Sequence, residues 1–390
     1  MVLSRRARIA IASTVATVAT CLLAARHLRG TAGALRPVDA VPRDAFLVAT
    51  VNLAELRRSP IYDVLLGNES PTGLKKAELL STRALGIAKL EEACGFDPLM
   101  RVDDLAVAVP EEGDRGELGV SARVNLTPEE LSRCASTLAG QHGAAKPETR
   151  SISGFDVVEA AGDEAARPRL GYGHGLLVVG RGAWFDAMLA AADGKAEGVK
   201  DAAGHATLRA ALTSGEGWHT PTVLVTALLP RSLRDRIKRE MGGAIDAPGG
   251  VIMAGVLGVS SVGLALRAND QTVDAAVELV CDAGDACASV EKLIGKKRLE
   301  WSKELMLRMV GLGPLLDSID VKRTGPRVRV TASAGANSLA STLDRVLRYR
   351  ARPGGREETP AAAPGLPRRP DEAIPAAGGP ARTEAPRPSR

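Results

Sequence analysis

Cysteine is the residue type in this sequence with the clearest chemical use. The chain has five cysteines, and Cys21 falls in an apolar run near the N-terminus, which leaves four farther along. An even number of cysteines in an exported chain permits two disulfides, with three connectivities. Cys281 and Cys287 form the first candidate disulfide, because the Asp and Gly residues between them can turn the chain from a strand end into a helix start. Cys94 and Cys134 form the second, although Cys134 also fits the apolar face of a helix as a free thiol.

Histidine, the residue most often used as a base or a metal ligand, is scarce and scattered. The five histidines are His27, His142, His174, His205 and His219. No two of them stand at the spacing of a local zinc site, and without a base the serines have no means of activation. Each histidine is interpreted as a surface or loop residue. The sequence therefore predicts no catalytic residue, no cofactor and no metal.

Two further patterns have both a functional and a structural interpretation. Residues 171–175, Gly-Tyr-Gly-His-Gly, resemble the start of a dinucleotide-binding loop. An apolar strand follows where that motif needs a helix, so we predict a hairpin turn. The second pattern is a basic helix face from Lys292 to Lys303, opposite an apolar face. It could contact an anionic envelope polymer, or it could be the solvent-facing stripe of a core helix in which Trp301 packs.

The N-terminus has the composition of an export signal. Arg5, Arg6 and Arg8 precede residues 9–25, a run of seventeen residues without a charge, and more basic residues follow. Seventeen residues is the lower limit for a spanning helix. We predict that residues 1–36 are a signal anchor that crosses the bacterial inner membrane once, with the body in the periplasm. The alternative is a cleaved signal peptide and a secreted or periplasmic protein.

The distribution of charge argues against a nucleic-acid partner. The 390-residue chain has a net charge of +5, but residues 1–36 carry six Arg and no acid, and residues 351–390 carry seven Arg against five acids. Removing these segments, +6 and +2, leaves −3 for residues 37–350. A mildly acidic body lacks the basic surface that binds phosphate backbones. The predicted partners are the inner membrane, through residues 9–25, and an unknown envelope protein or polymer.

The hydrophobic pattern of the body predicts an α+β fold of mostly antiparallel sheet with packed helices. A strand from residue 46 leads into a helix that Pro60 interrupts. The second half of the body repeats the order of strands and helices found in the first half. The corresponding segments are 46–66 with 222–241, 104–140 with 251–310, and 149–192 with 319–347. The predictions for the second half include a strand at residues 251–257 and a long helix from about residue 286 to residue 310. In the first half, Thr127 as a cap and Pro128 at the first position predict the start of a helix. The repeated order predicts two related α+β halves, residues 37–200 and 201–350.

The last forty residues differ in composition from the body. Residues 351–390 contain nine Pro, with Ala, Gly and Arg and few large apolar side chains. Such a segment cannot bury a core, so we predict a disordered tail.

Three stretches of the sequence resemble a family of uncharacterised bacterial exported proteins. They are VPRDAFLVATVNLAELRRSP, GFDPLMRVDDLAVAVP and LLVVGRGAWFDAML. The resemblance implies a duplicated α+β body behind a signal or anchor. Its motifs are strand and turn positions, so it carries over no site residue.

These observations favour a non-catalytic function. We expect a membrane-anchored, extracytoplasmic binding or scaffolding module of the cell envelope. The alternative is an envelope hydrolase whose site is assembled from scattered residues, and it requires a cleft where His174, His205 or His219 meets a carboxylate or a serine.

Overall fold

The computed structural model describes residues 35–65, 87–111, 118–141, 148–159, 168–214, 218, 220–240 and 255–351. The predicted membrane span at residues 9–25 lies outside these ranges, and so does the predicted tail from residue 352 onward. Within the ranges, no helix is long and apolar enough to cross a bilayer.

A twelve-stranded sheet dominates the body, and all its neighbouring strands are antiparallel. The strands are β1 Ala45–Asn52, β2 Val102–Pro110, β3 Gly119–Val124, β4 Glu148–Ile152, β5 Phe155–Glu159, β6 Pro168–Gly173, β7 Leu176–Arg181, β8 Val223–Leu228, β9 Val259–Ala268, β10 Thr272–Cys281, β11 Asp320–Thr324 and β12 Arg327–Gly335. Their order across the sheet is β11-β12-β10-β9-β8-β1-β2-β3-β7-β6-β5-β4. The predicted α+β class with an antiparallel sheet is confirmed.

The strand order places the N-terminal and C-terminal strands on opposite sides of one central pair. Strands β1-β2-β3 and β8-β9-β10 each follow one another in sequence, and β7 and β12 return to pair with β3 and β10. Strands β1 and β8 pair in the middle, with Ala49 opposite Val225. The two segments therefore contribute to one sheet. That they are related halves divided near residue 200 stays a prediction.

Twelve α-helices within the described ranges are numbered here. They are α1 Leu53–Leu56, α2 Pro60–Leu65, α3 Ile87–Cys94, α4 Pro98–Arg101, α5 Pro128–Gln141, α6 Gly182–Ala192, α7 Ala203–Thr213, α8 Arg231–Glu240, α9 Gly284–Lys303, α10 Leu305–Met309, α11 Gly313–Asp317 and α12 Ala336–Ala351. Pro60 divides α1 from α2, as its missing N–H and fixed φ predict. At the start of α5, the backbone N–H of Glu130 donates to Thr127 Oγ1 at 3.2 Å, and the Glu130 carboxylate accepts from the Thr127 backbone N–H at 2.9 Å.

Local predictions differ from the structure in the second half. The strand predicted at 251–257 is wrong over its described part, because residues 255–257 are helical. The backbone N–H of Gly258 donates to the Gly255 carbonyl and closes a turn before β9. The helix predicted through residue 310 ends at Lys303, because Glu304 takes an extended conformation between α9 and α10. The hairpin turn predicted at residues 171–175 is confirmed, and it joins β6 to β7.

One face of the sheet, called the packed face here, lies under α6 and α7. The two helices approach closely where the sheet has glycine. A Cβ on Gly119 would stand 2.7 Å from Trp184 Nε1, and one on Gly263 would stand 2.6 Å from Leu212 Cδ1. Residues 37–40, a 3-10 helix, pack into the same cluster as α6. This face supplies most of the buried core.

One charged residue is buried on the packed face. Glu278 of β10 is 5% exposed, opposite Gly263 on one side and Arg329 on the other. Burial raises the pKa of Glu278, and the charges of Arg329 and Arg327 lower it in part. The neighbouring cations thus partly offset the cost of placing a carboxylate under α7.

Candidate functional site

The residues that alternate with the core positions of the central strands are also apolar. In β1, Val48 is fully buried on the packed face, whereas Leu47 and Ala49 point to the other face and are half-buried. In β8, buried Thr226 likewise stands between half-buried Val225 and Ala227. We call this second surface the half-buried face.

A continuous line of aliphatic side chains crosses the half-buried face. Its members stand directly opposite one another on successive strands, and each is half-buried. In order across eleven strands they are Val321, Val330, Val277, Leu264, Val225, Ala49, Val107, Val120, Val179, Leu170 and Val158. We call this set the aliphatic row. Parallel lines on either side of it in the central strands are also aliphatic. One contains Val51, Leu105 and Val223, and the other contains Leu47, Val109 and Ala227.

Helix α9 covers one end of the aliphatic row, and the middle of the row is half-buried. Val321 and Val330 pack in a cluster with Val290 and Ile294 of α9. The middle of the row is Leu264, Val225, Ala49, Val107 and Val120. None of these five belongs to any of the four apolar clusters that the described residues form.

Such a surface is unusual for a sheet face that meets water. Antiparallel sheets with one solvated face normally alternate apolar and polar residues. Large contiguous apolar surfaces on soluble bodies mark sites for ligands, partners or membranes. The middle of the aliphatic row is therefore the candidate functional site. It carries no titratable, nucleophilic or metal-ligating side chain, so the chemistry that it supports is apolar binding.

His205, a residue interpreted from the sequence as surface or loop, is fully buried in α7, so that interpretation is wrong for it. Its Nε2 lies 2.8 Å from the Ala45 carbonyl oxygen, and its Nδ1 lies 2.7 Å from Thr226 Oγ1. A carbonyl only accepts, so Nε2 carries the proton and Nδ1 accepts from the threonine hydroxyl. Burial lowers the pKa of His205, which keeps the ring neutral. The residue links α7 to β1 and β8 and is fully used in that role.

His174 lies near a serine and a carboxylate, but on exposed turns. It occupies the β6–β7 turn at φ 54°, and Ser153 occupies the β4–β5 turn at φ 53°. Lys195 Nζ lies 3.2 Å from Ser153 Oγ and 2.6 Å from the Asp193 carboxylate. The hydrogen bond from Lys195 is the main cause of the lowered pKa of Asp193. The group lies on the surface and not in the cleft that a hydrolase requires, and His219 lies outside the described residues.

Both candidate cysteine pairs are within bonding distance. Cys281 and Cys287 are joined with an S–S distance of 2.08 Å, between the end of β10 and the first turn of α9. Cys94 of α3 and Cys134 of α5 are joined as well.

A polar cavity of about 470 Å³ lies beside α8, and sequence reasoning did not find it. Arg231, Arg234 and Lys238 line it together with Asp235 and Asp282. Arg234 forms an ion pair with Asp282, which lies in the disulfide loop, and donates to the Leu229 carbonyl at 3.1 Å. The ion pair with Asp282 neutralises Arg234, so we assign the cavity no ligand.

The basic helix face predicted at residues 292–303 falls on α9. Trp301, predicted to pack, is 47% exposed, so that prediction is wrong. The helix extends beyond the part that contacts the sheet.

Comparisons with known proteins give no family. No protein-family model matches the chain, and no curated protein matches it. Among solved structures, crystal forms I and III of TP0453 resemble it over 80% of this chain and 98% of theirs, at 12% and 10% identity and a TM-score of 0.40. A likeness this distant says nothing about the function of this chain. The resemblance to a family of exported proteins stays a prediction.

Proposed function

We propose that this chain is a non-catalytic cell-envelope protein that binds an acyl chain of an envelope lipid. Residues 9–25 anchor it in the inner membrane, and the body lies on the periplasmic side. The observation that carries the binding function is the aliphatic row, whose middle is half-buried and without a polar group. The Arg-flanked apolar run and the two cysteine pairs support the location, because disulfides persist in oxidising compartments.

The dimensions and chemistry of the row favour an acyl chain over a protein. Strands lie about 4.8 Å apart, so the five middle residues extend over about 19 Å. One acyl chain covers about half of a hydrocarbon core of about 30 Å, or about 15 Å. Protein interfaces are enriched in Tyr, Trp, Met and Arg, none of which occurs in the row. A docking strand is also excluded here, because each middle strand is paired on both edges.

The binding function can be tested by photocrosslinking in the native membrane. We expect a diazirine-labelled acyl lipid, incorporated by growing cells, to crosslink to peptides of β1, β2, β8 and β9 in the full chain. The triple variant Val107→Thr, Val225→Thr, Leu264→Thr should lower that yield about tenfold or more, because a hydroxyl against an alkyl chain loses its water without gaining a partner. Crosslinks at residues 9–25 serve as the internal standard.

A matched variant separates loss of binding from loss of folding. Val158→Thr with Val321→Thr makes the same kind of change at the two ends of the row and should leave the yield unchanged. All variants should keep the wild-type unfolding midpoint within a few degrees. Crosslinking confined to residues 9–25 in the wild type, or an equal loss in both variants, would contradict the acyl-binding site.

The location has a separate test. After an alkaline carbonate wash of the membrane fraction, we expect the full-length chain to stay in the pellet. Release of a shortened chain would show that residues 1–36 are a cleaved signal peptide, with the body still exported. Full-length chain recovered in the cytosol would overturn the envelope assignment.

A further inference from the structure

The end of α9 and the short helix α10 expose large apolar side chains in succession. The exposed fractions are 54% for Leu299, 47% for Trp301, 68% for Leu305, 62% for Met306 and 60% for Met309. We call these five side chains the α9–α10 surface. Their exposure is far above that of the aliphatic row, and they stand outside the sheet.

The α9–α10 surface continues a stripe that packs elsewhere on α9. Cys287, Ile294 and Trp301 are seven residues apart, so they share one side of the helix. The first two lie in the cluster that α9 forms with β9, β10 and β12. Trp301 is exposed because the helix continues beyond that cluster. An apolar stripe whose end has no partner among the described residues favours another apolar environment.

Basic residues are interleaved with this surface. Residues 292–309 contain six basic and two acidic side chains, a net charge of +4, although residues 37–350 together carry −3. The basic residues are Lys292, Lys296, Lys297, Arg298, Lys303 and Arg308. Glu300, one of the two acids, is bound by Lys297 at 2.7 Å and lies 3.8 Å from Lys296. A net positive charge therefore surrounds the apolar side chains of the α9–α10 surface. Of these six, within the described part of the chain, Arg308 alone is paired to an acid outside the range, Asp317 at 2.8 Å.

We propose that the α9–α10 surface rests on an anionic lipid bilayer. Leu and Met side chains would enter the outer acyl region, Trp301 would lie at headgroup level, and the long Lys side chains would reach the lipid phosphates. An anionic bilayer fits both the exposed apolar side chains and the positive charge around them. Water would solvate the lysines but leave the apolar side chains unburied. A neutral bilayer would bury the apolar side chains but leave the positive charge without a counter-charge. The contact is independent of the proposed acyl ligand and of the span at 9–25.

The proposal can be tested with the full chain reconstituted in vesicles that contain brominated lipid. We expect the fluorescence of Trp301, identified by its loss in Trp301→Phe, to be quenched in vesicles with phosphatidylglycerol and not in pure phosphatidylcholine. Each Lys replaced by Gln at positions 296, 297 and 303 should lower the ratio of docked to undocked body about fivefold. High salt should weaken the quenching in the same direction.

The matched control removes the same charge from another helix. Arg231→Gln, Lys238→Gln and Arg239→Gln on α8 should leave the Trp301 signal unchanged, which excludes an effect of net charge alone. Equal quenching in neutral and anionic vesicles would overturn the proposal, and so would an unquenched Trp301 in both. Shielding of Trp301 from aqueous iodide without vesicles, with a doubled mass by light scattering, would replace the bilayer by a second copy of the chain.

Discussion

Replacing His205 by alanine is expected to lower the free energy of unfolding by about 3–5 kcal/mol. The substitution leaves the Ala45 carbonyl oxygen and the Thr226 hydroxyl without their buried partner. A buried polar group without a partner costs about 1–3 kcal/mol, and the space left by the ring adds a cavity term. The change should be visible in urea unfolding of the solubilised full chain, followed by tryptophan fluorescence.

The same residue predicts how stability depends on pH. Burial lowers the pKa of His205 below 6.5, the value for an exposed histidine. The unfolded chain therefore binds the proton more readily, so stability from this residue is present above pH 6.5 and is lost as the pH falls below it. His205→Gln should remove this contribution. His174→Asn, on the exposed turn, should change stability by less than about 0.5 kcal/mol, and an equal effect at both sites would contradict the structural role of His205.

Local sequence signals were sufficient to predict many elements of this fold. Thr127 followed by Pro128 indicated the start of α5, and the glycines of residues 171–175 indicated a turn between two strands. The pairing of β1 with β8 could not be predicted in this way, because about 175 residues separate them. Helix α7, which was not predicted, holds its position through His205 and through Leu212 against Gly263. Both contacts are distant in sequence.

The strands that form the candidate site are recognisable in the sequence, but the sequence does not show which of their two faces is covered. Strands such as 46–51 and 223–229 are apolar at nearly every position, a pattern typical of strands buried on both faces. The structure places helices α6 and α7 on one face only, and the middle of the other face is half-buried. The sequence could indicate two apolar faces, but it could not say which face a helix of the same chain would cover.

The prediction that Trp301 packs in the core was wrong for a related reason. The spacing of Trp301 from Cys287 and Ile294 is right for a core position. Whether such a position is buried depends on how far the sheet extends beneath the helix. The residues around Trp301 do not determine the extent of the sheet. The middle of the aliphatic row and the α9–α10 surface are therefore the same kind of exception: apolar positions, correctly placed by local periodicity, that lie outside the apolar clusters of the described residues.

Replacing Cys94 and Cys134 by serine is expected to lower the free energy of unfolding by about 4 kcal/mol. A disulfide stabilises a fold largely by restricting the unfolded chain, and the restriction grows with the closed loop. The two cysteines are 40 residues apart, whereas Cys281 and Cys287 are 6 apart. The shorter loop predicts a smaller loss of about 2 kcal/mol for its double serine variant. Denaturant unfolding of both variants under non-reducing conditions measures the difference.

Whether these two cysteine pairs are bonded in cells also shows in which compartment the protein folds. Chain isolated from cells with its thiols blocked should yield the peptides of Cys94 and Cys134 joined to each other, and likewise those of Cys281 and Cys287, before reduction. Reducing the wild type should then lower its stability to that of a chain lacking both pairs. Free thiols at all four positions, or no loss in either variant, would contradict both the disulfides and the oxidising compartment, because only a bonded pair can restrict the unfolded chain.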